Sequence, residues 1–163
     1  NSAIDTVVPA FDAVADMLAE YGGSDLLCYR ATGPEGLIAR QAAAWDPLLD
    51  WSATALTAPL TPVAGVMHRA QSPASLAALT AAVRALTPFQ LAAFHDLVAI
   101  SGSLVLALAL TRGRLTTDQA WSQSRIDEDW QIEEWGEDWE AAEIVALKHA
   151  AFLQADRFFA LCG

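Results

Sequence analysis

The sequence is short of positive charge: one lysine, Lys148, and eight arginines stand against 20 acidic residues, for a formal net charge of −11. Such a chain is repelled by nucleic acid and by anionic membrane surfaces, so neither is expected as a partner. A basic protein surface would attract it. Cysteine is equally scarce, with Cys28 and Cys162 far apart, which does not resemble a secreted disulfide framework. The pair reads as two buried or partly buried thiols in a reducing compartment. No apolar run approaches the roughly 20 residues of a membrane span, and no secretory signal is visible. Direct membrane insertion is therefore not expected. The chain opens on Asn1-Ser2 without a methionine and reads as truncated or processed, with something missing upstream.

The motifs of common catalytic sites are missing too. There is no Gly-rich phosphate loop, nucleophile elbow or Cys-x-x-Cys. His68, His95 and His149 are isolated, without the Glu-x-x-His of di-iron bundles or the His-Glu-x-x-His of zinc sites. Neither His95 with Asp96 nor Glu143 with His149 has metal-ligand spacing. The expectation is a non-enzyme with no cofactor and no metal. Carboxylate pairs leave a carboxylate-based metal enzyme as an alternative.

What is present is alanine, at 34 positions in a chain that is 54% hydrophobic. Alanine is the best helix former, and 163 residues suffice for one helical domain with a real core, residues 1–163. A first helix is predicted from about Ala3 to Tyr21, stopped by Gly22-Gly23, with Pro9 kinking it or marking its true start. Leu26 to Arg30 reads as a short strand, with Val63 to Val66 or missing upstream chain as its partner. A second helix runs from Pro34 or Glu35 to Ala55, and Pro47 should bend or divide it. Ser72-Pro73 and Thr87-Pro88 open a third and a fourth. The fourth carries the uncharged stretch Leu97 to Leu110 and is predicted to be the central core helix, Gly102 letting a neighbour approach. Thr116 to Gln119 forms a capping box for a helix reaching Asp129 or beyond, broken by Gly136. The last helix spans about Asp138 to Leu161. The fold class is mainly α, a multi-helix orthogonal bundle with at most a short two-stranded β element.

Asp127 to Glu143 is the distinctive region, with nine carboxylates in 17 residues and no basic residue among them. Trp130, Ile132, Trp135 and Trp139 are interleaved. Like charges at helical spacing each cost about a few tenths of a kcal/mol, partly offset where Glu137, Asp138 and Glu140 meet a helix N-terminus. One reading is a solvated acidic face over structural tryptophans. The other is a partner-binding surface, since tryptophan is enriched as an interface anchor and an acidic rim orients a basic partner.

Several segments in order resemble the ATP synthase assembly factor 2 family: Leu27-Cys28-Tyr29-Arg30, Trp45 to Trp51, Leu115 to Ala120, Ser124 to Ile132, Trp135-Gly136 and Asp138 to Glu140. The resemblance covers about Asp25 to Phe159. It implies a non-enzymatic chaperone of the alpha subunit of the synthase's catalytic head, holding it soluble until the beta subunit displaces it. The resemblance also implies an N-terminal β-containing part in full-length members, which is expected to be missing from this sequence. A monomer is expected, cytoplasmic in an alphaproteobacterium or in the mitochondrial matrix of a eukaryote. On this reading Trp135 and Trp139 give apolar contact, while Glu128, Glu133, Glu137, Asp138, Glu140 and Glu143 face client arginines. Trp45 and Asp46 form a second candidate patch, with a core role as the other reading of Trp45. A generic helical interaction domain with another client is a further alternative.

Overall fold

The computed structural model describes residues 11–65 and 70–162. Over those residues eight α-helices follow in order. They are α1 (Phe11–Ala19), α2 (Glu35–Ala55), α3 (Pro73–Arg84), α4 (Pro88–Ser101), α5 (Leu104–Thr111), α6 (Thr117–Ser124), α7 (Ile126–Trp135) and α8 (Trp139–Cys162). Two-residue strands β1 (Tyr29–Arg30) and β2 (Val63–Ala64) pair in parallel, Tyr29 opposite Val63 and Arg30 opposite Ala64. The mainly helical bundle with a minimal β element is thus the fold observed. The predicted helix start before Phe11, with Pro9, lies outside the described residues, as do Val66 and His68.

Local chemistry sets most boundaries. Thr87 and Thr116 each accept a hydrogen bond from the backbone N–H three residues on, at 3.2 Å in both cases. Gln90 and Gln119 reach back to the cap N–H groups at 2.9 Å, completing two capping boxes. Pro73 and Pro88 occupy first-turn positions where a missing N–H costs nothing.

Three expectations need correction, and a fourth is narrowed. The strand expected over Leu26 to Arg30 is mostly a single 3-10 turn, Leu26–Cys28, and only Tyr29 and Arg30 are extended. Asp25 causes this, since its carboxylate accepts from the Leu27 N–H at 3.0 Å and tightens the backbone. Pro47 does not divide α2, which runs unbroken over 21 residues. Pro47 and Ala43, whose carbonyl loses its donor, are both exposed, so water can satisfy that group.

The apolar stretch Leu97 to Leu110 is two helices. Gly102 takes a left-handed conformation (φ 77°) that closes α4, and Ser103 caps α5 by accepting from the Leu106 N–H at 3.0 Å. A left-handed glycine followed by a capping serine outweighs continuous hydrophobicity. The expected helix from Thr117 past Asp129 is interrupted at Arg125. There the Ser124 hydroxyl donates to the Trp121 carbonyl at 2.7 Å, competing with the helical ladder.

The core forms where α4, α5 and α8 meet, with Leu104 to Leu110 buried throughout. Trp45, Phe94 and Phe152 are its largest fully buried side chains. α1 packs on α3, α2 on α5, and α8 along α4. Asp25 ties the N-terminal half to this centre. It is completely buried, accepting from Ser103 Oγ at 2.6 Å and from the Val105 N–H at 3.0 Å. Burial pushes its pKa up, while the donors around it pull back. Nearby Cys28 is buried and its thiol is pushed up to about 12, mainly by desolvation. Both burial and the raised pKa disfavour the nucleophilic thiolate.

Candidate functional site

The acidic segment becomes α7, a three-residue link and the first turns of α8. Gly136 makes the link possible, because its φ of 87° lies in the region that L side chains avoid. Asp138 then caps α8 by accepting from the Glu140 N–H at 3.0 Å. α7 rests on α2, whereas α8 packs along α4, α6 and α5. The two helices diverge from Gly136 and leave a groove of about 670 Å³ between them.

The groove has apolar walls between charged ends. Ile132, Trp135, Ile144 and Val145 line it, with Glu137 and Asp138 at the closed end and Arg125 and Lys148 at the open end. Side chains advance about 100° per residue around a helix. Ala141, Ile144, Val145 and Lys148 therefore share the groove side of α8, and Trp139, Glu140, Glu143 and Leu147 an adjoining outer side. Exposure on both sides is large: 82% for Trp135, 70% for Trp139 and 72% for Leu147. A tryptophan carries roughly 150–250 Å² of largely apolar surface, and leaving two in water forgoes several kcal/mol of burial each, at about 25 cal/mol per Å². Neither indole is a structural tryptophan beneath a solvated face.

The predicted site residues divide into three groups. Glu128, Trp135, Glu137 and Asp138 line the groove. Trp139, Glu140 and Glu143 are exposed on the adjoining outer side of α8. Glu133, Trp45 and Asp46 are engaged elsewhere. Glu133 forms a two-pronged ion pair with Arg40, which holds its carboxyl below the usual range, and Arg40 lies 4.8 Å over the Trp130 ring. Trp45 is fully buried and donates its indole N–H to the Gln123 carbonyl at 2.8 Å. Asp46 pairs with Arg30 at 2.8 Å.

Pairing therefore thins the acidic cluster without neutralising it. Asp129 has Arg125 at 3.6 Å, and Asp127 accepts from Gln41 Nε2 at 2.6 Å. Among the described residues Glu128, Glu137, Glu140 and Glu143 form no ion pair. Sequence reasoning missed the groove residues Ile144, Val145 and Lys148. The signal was available, since Ile144 and Val145 continue the apolar stripe of Phe152 and Ala155 back past the point where α8 leaves the core, with Lys148 on the same side.

No helix among the described residues is long and apolar enough to cross a membrane. No group of three or more His, Cys, Asp or Glu residues among them could hold a metal ion. Of the described histidines, His149 stacks on Trp121 at 4.5 Å, and His95 contacts Asp96 at 3.3 Å.

A family model described as ATP12 chaperone protein matches residues 1–53. The crystal structure of Atp12 from Paracoccus denitrificans is 52% identical with a TM-score of 0.96, over 100% of this chain and 70% of that one. A mutant of the same Paracoccus protein matches at 51% identity and TM-score 0.96, with the same coverage. A candidate chaperone from Agrobacterium tumefaciens is 42% identical with a TM-score of 0.92, over 99% of this chain and 60% of that one. With more than half of its residues shared with a relative that it spans over two thirds, the chain belongs to the ATP12 chaperone family.

Proposed function

We propose that this chain is an ATP synthase assembly chaperone that holds the free alpha subunit of the catalytic head and yields it to the beta subunit. The observation that carries the proposal is the exposed pair Trp135 and Trp139, flanked by Glu128, Glu137, Glu140 and Glu143, which form no ion pair among the described residues. Family membership supports the chaperone role. The physical need is plain, because a ring subunit lacking its neighbour exposes apolar interface that aggregates. The tryptophans cover part of that surface. The carboxylates steer association toward client arginines and keep the binding salt-dependent, so that a better-matched subunit can displace the chaperone. No bound metal or nucleotide is required. On this proposal Glu133 and Asp46, each neutralised by an arginine of the chain, hold α2 and its neighbours in place rather than meet the client, and Trp45 supports the surface from the core.

The test is dilution of isolated alpha subunit from denaturant, followed by light scattering. One equivalent of this protein should suppress aggregation, and later addition of beta subunit should transfer alpha into an alpha–beta complex. Undiminished scattering at several-fold excess of the protein would overturn the proposal.

A further inference from the structure

We infer that the groove between α7 and α8 receives an amphipathic α-helix of the client, with its basic end over Glu137 and Asp138 and a carboxylate-bearing end beside Lys148. This deepens the client-holding role proposed above and rests on it. The first argument is the stripe of α8. In its second half Phe152 and Ala155 are buried against the core. Two turns earlier the same stripe carries Ala141, Val145 and Lys148, and no core helix covers it. α7 is held away on α2 and makes little contact with α8. Packed helices sit about 8–10 Å apart, so two helices that diverge around a void of about 670 Å³ leave room for part of a third.

Backbone chemistry selects a helix over a strand. Both walls are helices whose interior N–H and C=O groups are already paired, so neither offers an edge to an extended peptide. An occupant that enters this groove must satisfy its own backbone, as a helix does. A second copy of this chain is disfavoured by its net charge of −11. Charge then sets the direction. Glu137 and Asp138 make the Gly136 end negative, whereas at the other end Lys148 and Arg125 balance Glu128 and Asp129. Lys148 forms no ion pair among the described residues. The ten residues of α7 rise about 15 Å, the length of a client segment of two to three turns.

Lys148 is the sole lysine of the chain, which makes the test selective. The complex with alpha subunit is treated with a zero-length carbodiimide, digested and mapped. Lys148 should be joined to an aspartate or glutamate on one helical segment of the client that carries arginine or lysine two to three turns away. In parallel, Ile144→Asp and Lys148→Glu are compared with Leu161→Asp, a control at an exposed apolar site outside the groove. Ile144 is 57% exposed, so its variant should fold. The groove variants should weaken capture at least tenfold and the control less than twofold. Parent-level capture by both groove variants, or coupling of Lys148 to an extended client segment, would overturn the helix-in-groove inference and leave the chaperone proposal intact. Dimers of the protein that these variants dissolve would also overturn it, by assigning the groove to self-association. Failure of the parent to bind alpha subunit at all would remove the chaperone proposal and this inference with it.

Discussion

Replacing Asp25 tests whether one buried carboxylate joins the two halves of the bundle. Asp25→Ala removes the acceptor of three buried donors: the Leu27 N–H, the Ser103 hydroxyl and the Val105 N–H. Each orphaned buried donor costs about 1–3 kcal/mol, a gross loss of about 3–9 kcal/mol. Relief of the carboxylate's own desolvation, which is the main cause of its raised pKa, offsets part of this. The expected net loss is about 3–5 kcal/mol, against the roughly 5–15 kcal/mol of a typical domain. Asp25→Asn keeps one acceptor oxygen but points an amide N–H₂ at one of the donors, and about 1–3 kcal/mol should be lost. Urea unfolding followed by circular dichroism reads both. With a slope of about 1–3 kcal/mol per molar, the alanine midpoint should fall by at least about 1 M. Stability within about 1 kcal/mol of the parent in Asp25→Ala, or a gain in Asp25→Asn, would refute the reasoning. Burial cost would then cancel the hydrogen bonds, and something else would hold the 3-10 turn on α5.

Trp45→Ala should cost about 3–5 kcal/mol, because it empties a fully buried site and orphans the Gln123 carbonyl. Trp135→Ala should stay within about 0.5 kcal/mol of the parent, and chemical denaturation of both variants checks the contrast. The hydrogen bond with Asp96 raises the pKa of His95 above its ordinary 6.5. Its stabilising contribution should be fully present below pH 6.5 and fade as pH rises through the folded value. An NMR titration should find the His95 midpoint above 6.5 in the parent and lower in Asp96→Asn; an unchanged midpoint in the variant would sink this assignment.

Fold was more legible than surface, for physical reasons. Helix starts at Pro73, Pro88 and Thr117 were readable because proline and capping-box chemistry act over three or four residues. The break at Gly102 was obscured, since its alternative as a close-packing glycine inside a long apolar helix is written with the same letters. Arg125 was harder still: the competing Ser124 hydroxyl could equally have faced solvent. Asp25 followed Gly22-Gly23-Ser24 and looked like an ordinary turn residue, because its partners lie 78 and 80 positions away. Within the candidate site, the tryptophans and carboxylates were conspicuous as a cluster. Which of them are already partnered was not. Glu133 finds Arg40 across 93 positions, and Trp45 reads identically as an anchor or a core residue until its exposure is known.

The central claim is that the exposed surface of α7 and α8 holds the client, the carboxylates on the outer side of α8 acting with the tryptophans. It is tested most directly by reversing these carboxylates one at a time in a tagged protein co-purified with the alpha subunit at low and moderate salt. Neither the Glu140 nor the Glu143 side chain has an ion-pair partner among the described residues, so Glu140→Lys and Glu143→Lys should keep the parent's circular dichroism and thermal midpoint. Truncating one partner of a desolvated pair costs about 2–5 kcal/mol of binding, and reversal should cost at least as much. Capture should therefore be lost in both variants and retained in Asp50→Lys, an exposed reversal on α2. Full capture by both well-folded variants would contradict the account and reduce the acidic segment to a solvated face.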